Sequence, residues 1–194
     1  MRLWFHSASV SDVRHYASPA EIVACFQNQR SLLHALAFLI TTDHAAADRA
    51  MVTACEMTLH GNSPFRDWLL EWAKTATITS AIAERNAAIR RCEAAYKSGR
   101  CTHPEHLSLD YTQERASNLG FILAADAQQL IAELDDLCRA VLVLRFAIRS
   151  SIQDCALRLN VSRAAVLAAN CHVLTWLQGR YMKPLEERHD SHAV

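Results

Sequence analysis

From Phe65 to Lys97 the chain runs 33 residues without a glycine or a proline. A segment of that length with neither residue cannot turn tightly, because glycine supplies positive φ and proline presets a turn. Its apolar residues Trp68, Leu69, Trp72, Ala76 and Ile82 recur at helical spacing, which predicts a long amphipathic helix with these residues facing the core. The whole chain of 194 residues holds only four glycines and four prolines. No stretch alternates apolar and polar residues over several strands. The expected fold class is all-α, as two small helical domains joined by a linker.

Local punctuation divides the chain further. Residues 1–17 are weakly patterned and read as an N-terminal arm. Ser18-Pro19-Ala20-Glu21 is a helix start, with serine to cap, proline in the first turn and glutamate to complete a capping box. Ile22, Val23, Phe26, Leu33, Ala37 and Ile40 then keep a helical period, and Thr41-Thr42-Asp43 can cap a second helix carrying Ala47, Ala50, Met51, Ala54 and Met57. His60-Gly61-Asn62-Ser63-Pro64 is a turn cluster before the long run. The first domain spans 18–98 and the linker 99–123. A second helical domain spans 124–182, and a charged tail 183–194. Within the second domain, two helices at about 151–159 and 163–178, joined by Asn160-Val161-Ser162, have the order of a helix-turn-helix.

Composition bounds the chemistry. Half of the residues are hydrophobic, 51%, enough for a packed core. Lys+Arg and Asp+Glu both number 20, so the formal net charge is zero, which counts against strong autonomous binding to nucleic acid. The seven cysteines lack CxxC spacing and several fall at apolar helix positions, as expected of buried thiols in a reducing cytoplasm. No apolar run approaches the roughly 20 residues of a membrane span. Cys101, His103 and His106, with Cys92 as a fourth ligand, are the one candidate metal set, and a polar linker is the ordinary reading of that segment. No cofactor is expected. There is no phosphate loop, no nucleophile elbow and no His-Glu-x-x-His helix, so the chain reads as a non-enzyme.

Two blocks carry a resemblance. Phe65-Arg66-Asp67-Trp68-Leu69-Leu70-Glu71-Trp72-Ala73-Lys74 is similar to the Phe-Arg-x-Trp-Leu-x-x-Ile-Ala-Arg signature in the second conserved region of the extracytoplasmic-function sigma factors. Leu134 to Arg145 resembles the beginning of that family's fourth region, and Ile152 to Val166 its helix-turn-helix, with Ala156, Leu159, Val161, Ser162 and Val166 in matching places. The resemblance implies a bacterial transcription-initiation protein that binds core RNA polymerase and promoter DNA, with an anti-sigma protein as a further partner. Asp43, Asp48 and Glu56 would then contact polymerase. Arg85, Arg90, Arg91, Lys97 and Arg100 would hold the proximal promoter element, and Ser162, Arg163, Asn170 and His172 the distal one.

The departures matter as much. The segment Arg163 to Trp176, in the position of the recognition helix, has only Arg163 as a reliable cation. Each missing phosphate contact removes about one counterion of salt-dependent affinity. Such a helix can retain weak promoter reading, or it can pack and bind protein, with Leu167, Val173 and Leu174 forming an interface or a homo-oligomer contact. Arg49, Met51 and Val52 stand where the family's acids and amides are common. The basic cluster also has an ordinary reading, as helix-terminal cations on a solvated face. Trp68 and Trp72 are expected in the core rather than as base-stacking platforms.

Overall fold

The computed structural model describes residues 15–96 and 131–181, with side chains to 177. Among them are seven α-helices, one short 3-10 turn and no strand. Residues 1–14 of the expected arm 1–17, the linker 99–123 and the tail 183–194 lie outside the described residues, while residues 15–17 of that arm are described and pair with the chain near Phe65. None of the described helices is long and apolar enough to cross a membrane.

The helix starts follow from their caps. Ser18 begins α1 (Pro19–Asn28): its hydroxyl accepts from the Glu21 N–H, and the Glu21 carboxylate accepts from the Ser18 N–H at 2.8 Å. The single apolar period expected through Ile40 is broken at Gln29, whose backbone leaves the helical region, so α2 (Arg30–Thr41) is a separate helix. Thr42 ends α2 in the left-handed region, φ 53°. Asp43 then caps α3 (His44–His60), accepting from the Ala46 N–H at 2.8 Å. Gly61 closes α3, and a Cβ there would lie 2.9 Å from the Met57 carbonyl oxygen.

The compact units divide after Glu84, inside α4 (Leu69–Tyr96). In the first unit, Ala17, Ile22, Phe26, Leu33, Met51, Ala54, Leu69 and Ala73 share one core. An isolated antiparallel bridge joins Tyr16 to Phe65, with Ala17 N–H donating to Pro64 O and Arg66 N–H to His15 O, both at 2.9 Å. The 3-10 turn Arg66–Trp68 leads into α4. The buried face of α4 in this unit is Leu69, Ala73, Lys74, Thr77, Ile78, Ser80, Ala81 and Ile82. Leu69 and Ile82 lie on it as expected and Ala76 is partly buried against the core, but the two tryptophans do not. Trp68 is 69% exposed and Trp72 49%, so neither is a core residue.

The second unit centres on α5 (Asp136–Phe146), where every residue from Leu137 to Arg145 is buried. A helix buried all round is a central helix. It packs against α6 (Ile152–Leu159) and α7 (Arg163–Tyr181), which also pack on each other. Ser151 and Asp154 form a second capping box at α6, and Asn160 ends it at φ 51°. Both helices fall where the sequence places them.

Candidate nucleic-acid and protein-docking surfaces

The expected DNA-contacting residues that are described all fall in the second unit, and they have separate fates. Arg85 is held by Asp136, its Nε and Nη2 donating to one carboxylate oxygen at 2.8 and 2.6 Å. The same oxygen accepts from Arg139 Nη2 at 2.6 Å, and Arg139 Nη1 donates to the Leu134 carbonyl. Arg85 is therefore a structural cation that neutralises a largely enclosed carboxylate. Arg90 and Arg91 lie exposed on the last turns of α4. Lys97 and Arg100 lie outside the described residues.

At the start of α7, Ser162 is occupied as a cap. Its hydroxyl accepts from the Ala165 N–H at 3.3 Å, and its own N–H donates to Glu93 on α4 at 2.9 Å. Arg163 and His172 are exposed, and His172 meets Tyr96 edge-on at 6.3 Å between ring centroids. Asn170 is buried, 8% exposed, so its amide is not presented to a base edge. Eight of the ten residues from Ala165 to Leu174 are buried: Ala165, Val166, Ala168, Ala169, Asn170, Cys171, Val173 and Leu174. Val173 and Leu174 therefore do not form the surface interface expected of them, because the fold consumes them. Leu167 is half-buried.

Beneath this helix sits a closed polar cluster. The Tyr96 hydroxyl donates to Asp135 at 2.5 Å and lies 3.1 Å from Cys138 Sγ. Burial, then the Asp135 and Cys138 hydrogen bonds, raise the tyrosine's pKa. Burial pushes the Cys138 thiol up to about 12 and Cys155 up to about 11, so both stay protonated and unreactive at neutral pH. Arg145 is also buried. One Nη donates to the Ser150 carbonyl at 2.7 Å, and burial lowers its pKa. Cys25 and Cys55 are partly buried free thiols, raised mainly by burial. Cys171 departs from the expected free thiols, being disulfide-bonded.

The three acids expected to face polymerase are all exposed on or beside α3. Asp43 is occupied as the α3 cap. Asp48 lies 3.7 Å from Arg30 and 3.8 Å from His34. Glu56 is exposed, with Val52 and Met57 exposed on the same helix. Arg49, in a place where the resemblance favours an acid, pairs with Glu84 at 3.0 Å.

Sequence reasoning missed an aromatic ledge on the first unit. Tyr16 stacks on Phe65 at 4.7 Å, and Phe65 meets the edge of Trp68 at 5.8 Å. Trp72 follows one helical turn after Trp68, and all four rings are exposed. The signal was present in the 65–72 spacing, but periodicity does not say which of two apolar rows faces inward. Of the candidate metal set, Cys101, His103 and His106 lie outside the described residues, and Cys92 is a partly buried free thiol. Comparison of the chain with protein-family models, with curated proteins and with solved structures gives no match.

Proposed function

We infer that the chain is a sigma-like helical protein of the transcription apparatus that acts by protein contact, without reading promoter duplex through its C-terminal helix. The carrying observation is the burial of most of the stretch Ala165 to Leu174 of α7. Direct readout requires one helix face to lie in the major groove with hydrogen-bonding side chains toward base edges. Between Ala165 and Leu174, only His172 is exposed. The sigma-like character rests on the two sequence blocks, and the observed helix order is compatible with it.

Titrating the full chain against a pool of random duplex DNA over a range of salt tests this reading. The expected result is no saturable binding at submicromolar concentration and a shallow salt dependence, alongside co-elution with purified core RNA polymerase. Submicromolar, salt-steep duplex binding lost on substitution of Arg163 or His172 would overturn it.

A second reading keeps promoter contact, and the exposure of Arg90 and Arg91 favours it. On this reading the chain is an initiation factor that holds a promoter strand by adjacent cations at the end of α4, as single-strand binders do with cationic tracks. Run-off transcription with core polymerase distinguishes the two. Promoter-specific transcripts that vanish in Arg90→Ala/Arg91→Ala support initiation, and their absence at all templates supports protein contact alone.

A further inference from the structure

We propose that the guanidinium of Arg145 is a binding site for a small free oxyanion of the phosphate class, at the corner where α5 gives way to α6. The site lies within the second unit and does not depend on how α7 is read.

A buried charge without a counter-charge carries the argument. Arg145 is only 8% exposed. Its one hydrogen bond among the described residues runs from Nη1 to the Ser150 carbonyl at 2.7 Å. The Nε group is enclosed and has no acceptor. Burial lowers its pKa, and no carboxylate offsets that effect. A guanidinium nevertheless keeps its proton in a protein. Arg139, on the same helix, shows the ordinary solution: it is 5% exposed and sits 2.6 Å from the Asp136 carboxylate. Enclosing a guanidinium with no such partner is costly. With one donor of five engaged, Arg145 presents the planar fork that complements an oxyanion.

The surroundings favour an anion and give it an approach. Ser150, whose carbonyl Arg145 holds, is flanked by the exposed Arg149 and Ser151, so the guanidinium lies just beneath the surface there. Arg149 adds a second cation to the corner. The Cys155 thiol, raised mainly by burial, also feels Arg145, Asp154 and Arg158, which gathers those three charges around one point. Asp154 is engaged by the Ser151 N–H and hydroxyl at 3.3 and 2.6 Å. Arg145, Arg149 and Arg158 against Asp154 leave two excess positive charges.

Enclosure selects a small ion. A nucleic acid is held by cations ranged along its backbone, whereas the cation here is a single guanidinium set below the surface. Phosphate brings two negative charges and several acceptor oxygens, enough for the free N–H groups of Arg145 and for Arg149 together. Acetate, a monoanion with two oxygens, satisfies fewer of them.

The test follows thermal unfolding of the full chain as sodium phosphate replaces sodium chloride at constant ionic strength and pH. Saturable stabilisation in the millimolar range is expected, with a weaker response to acetate. Arg149→Ala leaves the bond from Arg145 to Ser150 in place and should weaken the apparent phosphate affinity about tenfold. Arg145→Lys keeps a cation and a donor for the Ser150 carbonyl but lacks the fork, and saturation should disappear. Should that variant fail to fold, calorimetric titration of phosphate into the wild type and Arg149→Ala decides alone. A rise that never saturates and is equal in all three proteins is a general effect of the salt on burial, and it overturns the proposal. Equal stabilisation by acetate removes the phosphate class. Binding of a short duplex lost in Arg145→Lys, with no response to phosphate, would assign the site to a nucleic-acid backbone. The readout is the free ion, so failure here is separable from failure of the random-duplex titration.

Discussion

A single carboxylate oxygen organises the cations of the second unit. Asp136 Oδ1 accepts from Arg85 and from Arg139, and Arg139 is buried. Neutralising Asp136 leaves an enclosed guanidinium without its counter-charge, the case in which breaking an ion pair costs most. Asp136→Asn is expected to destabilise the protein by about 3 kcal/mol, read from the midpoint of urea unfolding. A change within experimental error would mean that Arg139 is satisfied by its carbonyl partner alone. The thiols give a second residue-scale expectation. With Cys138 and Cys155 protonated and buried, iodoacetamide at neutral pH should leave both unmodified in the native protein and label them only in denaturant. Mass spectrometry of the digested peptides reads this directly.

At the level of elements, the starts of helices were the most legible feature. Ser18-Pro19-Ala20-Glu21 and Asp43 cap the helices where their chemistry places them, because a cap is a local hydrogen bond between near neighbours. The break at Gln29 was not legible, since the apolar period runs through it undisturbed. The inward face of α4 was legible only in part: Leu69 and Ile82 are buried as their spacing indicates, whereas Trp68 and Trp72 are not. Two apolar rows compete along 65–82, one aromatic and one of alanine, threonine and isoleucine, and the outcome depends on how closely the neighbouring helices approach. That is a tertiary property. The capping boxes predict a pH dependence. Hydrogen bonds from the serine backbone and side chain hold Glu21 and Asp154 below their usual carboxylate range. A lowered folded pKa contributes stability that is present above the unfolded value and lost as pH falls through the folded one. Thermal stability should therefore decline below about pH 4. Ser18→Ala should cost about 1 kcal/mol at neutral pH and flatten part of that decline.

For the whole molecule, equal numbers of acidic and basic residues agree with a fold that spends cations on its own carboxylates: Arg85, Arg139, Arg49 and Arg66 all have acidic partners. Long-range attraction to a polyanion should be weak. The protein is expected to elute from heparin below physiological salt at neutral pH, and retention well above it would restore a nucleic-acid role. All-α architecture was readable from the scarcity of glycine and proline. What the C-terminal helix presents to solvent was not, because a neutral alanine-rich helix can be a stripped reader or a core element with the same residues.

The burial of α7 has one more consequence. Most substitutions between Ala165 and Leu174 are therefore expected to act through side-chain volume and burial. A saturation scan of these ten positions should read like the interior of a bundle, intolerant of charge at every site except position 172 and of added bulk at the alanines. New DNA specificities should be inaccessible by substitution there.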